Sequence, residues 1–162
     1  MKTLFIMRHA KSSWDDSALA DFDRPLNERG LEAAPLIGET IRQHQFQIDS
    51  VVSSPAKRAE QTALLVKTAA RINCEIQFDR GIYEASPQRL RQIVANIDND
   101  HKSILLVGHN PGFEGFLKFL TGETHTMPTA ALAVIDLKID EWNKTAAGTG
   151  KLRILLRPKE LK

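Results

Sequence analysis

The sequence predicts an α/β fold with a mostly parallel sheet of about six strands and helices on both faces. Short apolar runs of strand length alternate along the chain with longer segments in which apolar residues recur at helical spacing. The run from Ser103 to Val107 is apolar throughout its centre, which is typical of a strand buried on both faces of a sheet. Together these patterns favour parallel strands joined by helical connections.

Six segments are short, apolar and rich in β-prone residues, and they predict the strands. The first, Thr3–Met7, ends directly before Arg8 and His9. The predicted strands cover residues 3–7, 48–53, 74–78, 103–107, 131–137 and 152–156.

Each of the four predicted helices begins at a recognised start signal. Asn27 can cap a helix that starts near Glu28. The other three helices begin at a proline, which the first turn tolerates because no backbone N–H is needed there. Pro35 lies within the first helical pattern, where it either kinks the helix or belongs to its first turns. The helices are expected from residue 28 and over 54–71, 86–97 and 111–120.

The connections between these elements predict the topology. No helical pattern separates the last two strands, so we expect an antiparallel hairpin at or near an edge, with Ala147–Gly150 as its turn. With 162 residues the chain is close to one typical domain. We assign residues 1–158 to that domain and residues 159–162 to a C-terminal tail.

Composition narrows the functional classes. The chain has 22 basic and 20 acidic residues and a net charge of +2, which gives no bulk attraction for nucleic acid. No segment approaches the roughly 20 apolar residues that cross a bilayer. Cys74 is the single cysteine, which excludes an internal disulfide and a cysteine-based metal cage. We expect a cytoplasmic protein without nucleic-acid or membrane partners; its oligomeric state stays open, with a monomer slightly favoured.

Four polar sequences follow predicted strands at the rim where ligands bind in open α/β sheets. Arg8 and His9 follow the first strand, Arg58 the second, Glu84 the third and His109 the fourth. We therefore expect two histidines and two arginines to converge on one site.

These residue types indicate a phosphate site. Guanidinium groups bind phosphoryl oxygens in bidentate fashion and stay charged at cellular pH, and a helix N-terminus near Arg58 adds backbone donors. A neutral imidazole such as that of His9 can attack phosphorus and form a phosphoimidazole that water hydrolyses. The sequence carries no magnesium-type carboxylate cluster and no Walker-type loop, so we expect neither a metal nor another cofactor.

Taken singly, each residue also has an ordinary structural interpretation. Arg58 alone would be a solvated helix residue, Glu84 a loop acid and His109 a packing histidine. The functional interpretation depends on their joint position at strand ends. The remaining histidines are assigned to packing or solvent: His44, His101 and His125.

At these residues the sequence resembles the histidine phosphatase superfamily, which includes phosphoglycerate mutases and acid phosphatases. Arg8-His9-Ala10 stands where that family has Arg-His-Gly after its first strand. Ser54–Thr62 matches its Ser-Pro-x-x-Arg-Ala-x-Gln-Thr pattern, and Leu105–His109 resembles its second histidine after an apolar strand. Arg24–Gly30 resembles the stretch before its first long helix. The resemblance extends from residue 4 to about 137.

Within that superfamily the chain is most similar to the SixA-type phosphohistidine phosphatases, because it is short and carries Gly108–Gly112 (Gly-His-Asn-Pro-Gly). The resemblance implies a phosphoglycerate mutase-like, three-layer α/β/α sandwich. It also implies that His9 is the nucleophile. Arg8, Arg58 and His109 would complete the phosphate pocket, and we add Asn110, beside His109, to the phosphate-binding residues.

Two positions depart from the family pattern. Ala10 replaces a glycine and constrains the backbone beside the nucleophile. Asp15 follows Trp14 where mutases and broad phosphatases often carry an asparagine. A carboxylate facing phosphate would repel it, so we expect Asp15 to point away or to recognise a cationic group of the substrate.

The expected mechanism has Arg8, Arg58 and a protonated His109 clamping the phosphate while neutral His9 attacks in line. The other ring nitrogen of His9 is expected to donate to a nearby backbone carbonyl, and Glu84 is the candidate general acid and base.

The connections after residues 78 and 120 are short, and an open pocket suits a phosphorylated side chain of another protein. The first choice is therefore a phosphatase acting on phosphohistidine in a signalling or phosphotransfer protein. The alternatives are a broad-specificity small-molecule phosphomonoesterase and a non-catalytic module that binds phosphorylated ligands.

Overall fold

The computed structural model describes residues 1–161, and it contains one six-stranded sheet. The strands are β1 (Lys2–Arg8), β2 (Ser50–Ser53), β3 (Ile76–Phe78), β4 (Ser103–Gly108), β5 (Leu132–Leu137) and β6 (Gly150–Leu156). Their order in the sheet is β3-β2-β4-β1-β5-β6. The first four are parallel to one another, whereas β5 is antiparallel to β1 and β6 is antiparallel to β5. The predicted C-terminal hairpin therefore exists, and β6 is an edge strand.

Four helices cover the sheet, two on each face. They are α1 (Glu28–Gln43), α2 (Lys57–Ala70), α3 (Pro87–Ala95) and α4 (Gly112–Thr121). Side chains of successive β1 residues point to opposite faces, so Phe5 packs in the core under α1 and α2, while Leu4 and Ile6 pack in the core under α3 and α4. The predicted α/β/α architecture is thus confirmed.

Helix α1 begins where the sequence predicts. The side chain of Asn27 accepts a hydrogen bond from the backbone N–H of Gly30 and so caps the helix. The helix continues through Pro35, which lies in its interior rather than in its first turn.

Several other boundaries differ from the prediction. Strands β2 and β3 each begin two residues later than predicted, and β6 begins two residues earlier, so Gly150 belongs to the strand and not to the turn. Helix α2 begins at Lys57 rather than at Ser54, because the Ser54 side chain accepts a hydrogen bond from the N–H of Ala56 and keeps that stretch non-helical. In the predicted C-terminal tail, a single 3₁₀ turn forms at Pro158–Glu160, and Leu161 packs against the core. Residue 162 lies outside the described residues.

The sheet order brings the predicted site residues together. In the centre of the sheet, β1 and β4 are neighbours in register, with Arg8 opposite Gly108, and the backbone N–H of His9 donates to the carbonyl of Gly108 at 2.9 Å. Strand β2 lies on the other side of β4, and the N–H of Ser54 donates to Val107. The carboxyl ends of three strands therefore meet at one rim. Within residues 1–161, no helix is long and apolar enough to cross a membrane.

Candidate active site

His9 lies just beyond the end of β1 and is almost fully buried. Its Nδ1 is 2.7 Å from the carbonyl oxygen of Ala10. A carbonyl can only accept, so Nδ1 carries the proton and Nε2 keeps its lone pair. The expected hydrogen bond to a backbone carbonyl is confirmed, and Nε2 is the ring nitrogen available to attack phosphorus.

Arg58 occupies the first turn of α2 and reaches back over the sheet rim. Its Nε lies 3.4 Å from Nε2 of His9. Its two terminal nitrogens donate to the backbone oxygen of Asp21 at 2.7 Å and to the carboxylate of Asp21 at 3.0 Å. The guanidinium is therefore buried, oriented and adjacent to Nε2 of His9.

His109 follows β4 and faces His9, with ring centroids 5.2 Å apart. Its Nε2 is 2.8 Å from Oγ of Ser54, which also accepts a hydrogen bond from the N–H of Ala56. That arrangement leaves the Ser54 hydroxyl proton free to donate to Nε2, which favours the tautomer protonated on Nδ1. Nδ1 is buried and has no partner among residues 1–161, so it is a donor without an acceptor.

Arg8 is the second arginine of the site, beside Arg58. Its Nη1 donates to the carbonyl oxygen of Met127 at 3.1 Å, and its Nε is buried without a partner among the described residues. Buried polar groups are rarely unpaired. Two unpaired donors, on Arg8 and His109, beside the His9 ring are consistent with a pocket that binds an oxyanion.

The electrostatics of the site keep both imidazoles neutral. Burial, together with the neighbouring Arg58 and Arg8, lowers the pKa of His9 to about 4. Burial and the neighbouring His9 and Arg58 lower the pKa of His109 to about 3. The protonated His109 that the sequence predicted is therefore not what the structure favours, because burial and two neighbouring arginines make a cation there unfavourable.

Asp21 enters the site from the loop between β1 and α1, and the sequence analysis missed it. Its carboxylate accepts hydrogen bonds from Arg58 at 3.0 Å, from Tyr83 at 2.6 Å and from Arg24 at 3.0 Å. Arg24 in turn stacks on the ring of Trp14. Its place in the sequence could have indicated it: Asp21 lies three residues before Arg24, and Arg24 begins the stretch that resembles the family.

Thr62 is a second residue that the sequence analysis did not single out as functional. Its hydroxyl accepts a hydrogen bond from the N–H of Ala10 at 2.9 Å and donates to the carbonyl of Arg58 at 2.7 Å. One buried side chain thus ties the backbone beside the nucleophile to α2. The Ala10 methyl is accommodated because the residue is fully buried against core side chains.

Glu84 does not join the site. The residue is exposed, adopts φ 58°, and its carboxylate forms no hydrogen bond with residues 1–161. It was expected at the rim because it follows β3, but the neighbouring Tyr83 turns toward Asp21 instead. The geometry gives no support to Glu84 as general acid.

Asn110 also differs from the expectation. Its amide nitrogen donates to the carbonyl of Met127 at 2.9 Å, and its oxygen accepts from the N–H of Glu114 at 3.2 Å. The side chain therefore fixes the start of α4 and the Met127 carbonyl that Arg8 also contacts. Asp15 is exposed, as expected for a carboxylate that points away from phosphate.

The other histidines lie outside the site. His44 stacks on Phe46, and Nε2 of His125 pairs with Glu123. The carbonyl of His101 accepts from Lys2 and Trp142. Over residues 1–161, no three His, Cys, Asp or Glu side chains are grouped so that they could hold a metal ion.

Comparison with known proteins agrees with this geometry. Residues 4–90 match the histidine phosphatase superfamily (branch 1). The chain is 29% identical to phosphohistidine phosphatase SixA of Escherichia coli (strain K12) over 169 residues, which covers 98% of this chain and 96% of that protein. It is 26% identical over 170 residues to an uncharacterized chloroplastic protein of Arabidopsis thaliana, with 97% of this chain and 78% of that protein covered.

The fold agrees with a solved structure over the full length. The protein histidine phosphatase SixA complexed with tungstate superposes with a TM-score of 0.86 at 25% identity, and 99% of each chain is covered. The site residues Arg8, His9 and Arg58 lie within the matched family region. This chain belongs to the histidine phosphatase superfamily and is a SixA-like enzyme of that superfamily.

Proposed function

We propose that this protein is a metal-independent phosphatase that forms a phosphohistidine intermediate on His9 and dephosphorylates phosphohistidine in a signalling or phosphotransfer protein. The observation that carries the proposal is the neutral His9 imidazole, with Nδ1 bound to Ala10 and Nε2 directed toward Arg58. The similarity to SixA proteins over nearly the whole chain supports the substrate class.

The first step transfers the phosphoryl group to His9. Arg8, Arg58 and the N–H of His109 hold the phosphoryl oxygens, where negative charge is spread in the transition state. The lone pair of His9 Nε2 forms the new P–N bond, and the old P–N bond breaks with its electron pair on the leaving imidazole. Because His9 keeps its Nδ1 proton, the product is a phosphoimidazolium.

The second step is hydrolysis of that intermediate. Water attacks phosphorus, and the P–N electron pair returns to Nε2 of His9 as the bond breaks. The protons of water stay on the phosphate product, so His9 returns to its neutral tautomer. Neither step requires Glu84, because a protonated imidazole leaves as a neutral molecule without a general acid.

The test compares three substrates in the presence of a chelator: a histidine-phosphorylated protein, p-nitrophenyl phosphate and 3-phosphoglycerate. We expect kcat/KM to be highest for the phosphorylated protein and unaffected by the chelator. His9→Ala is expected to abolish turnover and acid-labile phosphate incorporation. His44→Ala, which removes an exposed imidazole outside the site, is expected to retain both.

Each alternative has its own outcome in this experiment. Preference for p-nitrophenyl phosphate would favour a broad phosphomonoesterase. Binding of phosphate without turnover would favour a binding module. Loss of activity with the chelator would contradict the metal-independent reaction, and substantial turnover by His9→Ala would contradict the role of His9.

A further inference from the structure

Asp21 is an ionised carboxylate at the mouth of a phosphate site. Its side chain is 49% exposed, whereas that of Arg58, to which it is bonded, is only 7% exposed. Asp21 therefore contacts the buried Arg58 on one side and solvent on the other, and a substrate arrives from the solvent side. Arg24 and Arg58 balance its charge, and the exposed part of the carboxylate stays accessible to a hydrogen-bond donor on the substrate.

The surroundings of Asp21 keep it ionised. The Tyr83 hydroxyl, followed by Arg24 and Arg58, lowers the pKa of its carboxyl to about 2 despite some burial. A carboxylate with such a pKa carries no proton to donate near neutrality. Asp21 can therefore accept a hydrogen bond from a substrate but cannot serve as the general acid that an alkoxide leaving group needs.

The chemistry of a phosphoimidazole supplies the matching donor. An imidazole leaves readily only when its distal ring nitrogen carries a proton, since it then departs as a neutral molecule. Within the protein, the distal nitrogen of His9, Nδ1, keeps its proton because it donates a hydrogen bond of 2.7 Å to the Ala10 carbonyl. A substrate imidazole on the opposite side of phosphorus needs an equivalent acceptor.

We propose that Asp21 is a specificity-determining residue that accepts a hydrogen bond from the protonated distal nitrogen of the substrate's phosphoimidazole ring. This inference rests on the proposed function and names how the site selects its leaving group. The Asp21 carboxylate stabilises the imidazolium; the P–N bond then breaks, its electron pair goes to the departing nitrogen, and the distal proton stays on the ring. Phosphate esters gain nothing from this contact, because their leaving group has no protonated ring nitrogen that could donate to Asp21.

The groups that surround Asp21 bear on any pH dependence. Arg24 on the same loop, Arg58 on α2 and the Tyr83 phenol after β3 contact the carboxylate. The neutral imidazole of His109 and the exposed carboxylate of Glu84 lie farther away. The lowered pKa values of His9, Asp21 and His109 all lie below 5. A limb between pH 5 and 9 that is present with N-phosphoimidazole and absent with p-nitrophenyl phosphate is therefore assigned to the substrate imidazole.

The test compares Asp21→Asn with Asp23→Asn, which removes the same charge from an exposed side chain two residues away. The probes are N-phosphoimidazole and p-nitrophenyl phosphate. We expect Asp21→Asn to lower kcat/KM for N-phosphoimidazole by about 10- to 100-fold, the effect of losing one hydrogen bond to a charged group. The value for p-nitrophenyl phosphate should fall by a clearly smaller factor, which reports the lost ion pair with Arg58 alone, and Asp23→Asn should leave both values unchanged.

A pH profile separates this role from simple support of Arg58. In Asp21→Asn the alkaline limb of kcat for N-phosphoimidazole should move to lower pH by about one unit, because nothing then stabilises the distal proton. If Asp21→Asn loses the same factor on both probes, or if the alkaline limb does not move, the inference is overturned. The proposed phosphatase function of the wild-type protein would not be affected by that result. Failure of the wild-type protein to hydrolyse N-phosphoimidazole would overturn the proposed function and this inference together.

Discussion

At the scale of single residues, the tautomer of His9, the proposed nucleophile, depends on one backbone carbonyl. The Ala10 oxygen fixes the tautomer of His9, and the position of that oxygen depends in turn on where the Ala10 peptide lies. Thr62 anchors the peptide through the Ala10 N–H. Thr62, which does not contact the His9 ring, therefore positions the ring nitrogen that we propose as the nucleophile, as expected for groups that support a preorganised site.

Replacing Thr62 with valine removes the hydroxyl but keeps the shape of the side chain. The buried N–H of Ala10 then loses its acceptor, which costs about 1–3 kcal/mol of stability. We expect kcat to fall about tenfold with KM nearly unchanged, measured on N-phosphoimidazole alongside thermal unfolding. Thr62→Ser keeps the hydroxyl and should restore kcat; equal kcat in the valine and serine variants would refute the positioning role.

At the scale of secondary-structure elements, close packing decides where the loop after β1 lies. Helix α1 begins beside this loop, and the N–H of Asn27 donates to the carbonyl of Lys11 at 2.9 Å. A Cβ added at Gly30 would lie 2.2 Å from the same carbonyl oxygen. The first turn of α1 therefore needs a residue without a side chain in order to support the segment that leads from His9 toward Asp21.

Gly30→Ala tests this contact. Alanine is normally the better helix former by about 1 kcal/mol. Here the methyl group would collide with backbone, and we expect a net loss of about 1–3 kcal/mol in chemical denaturation, with lower phosphatase activity. Glu39→Ala, an exposed position on the same helix, should change stability by less than about 0.5 kcal/mol. A stabilised Gly30→Ala protein would show that the loop moves freely.

At the scale of the whole molecule, the site makes folding sensitive to acid. The pKa values of His9 and His109 are lowered from 6.5 to about 4 and about 3 on folding, mainly by burial. The unfolded chain therefore binds more protons than the native protein between those values and 6.5. Stability is complete above about pH 6.5 and is lost as the pH falls toward 4.

We expect the free energy of unfolding to fall by about 2–4 kcal/mol between pH 7 and pH 5, since each imidazole contributes up to about 1.4 kcal/mol per pH unit. Urea titrations at several pH values measure the slope. The double variant His9→Gln/His109→Gln should show a much flatter profile. An equally steep profile in that variant would place the acid-sensitive groups elsewhere.

The sequence by itself determined the elements and the position of the proposed nucleophile. Strand-length apolar runs, the cap at Asn27 and the prolines before the later helices depend on local patterns, and those elements form. His9 could be predicted because it directly follows the first strand, and Arg58 because it lies in the first turn of the helix after the second strand. The carboxyl ends of parallel strands meet at one rim.

Only the tertiary structure decided which carboxylate enters the site. Glu84 and Asp21 both lie in loops, and no local pattern distinguishes an exposed acid from one that two arginines and a tyrosine hold. The same holds for Thr62, whose partner Ala10 is 52 residues away in the chain. Hydrogen bonds between distant segments form only when the sheet order brings those segments together. The spacing of residues along the chain therefore cannot predict them.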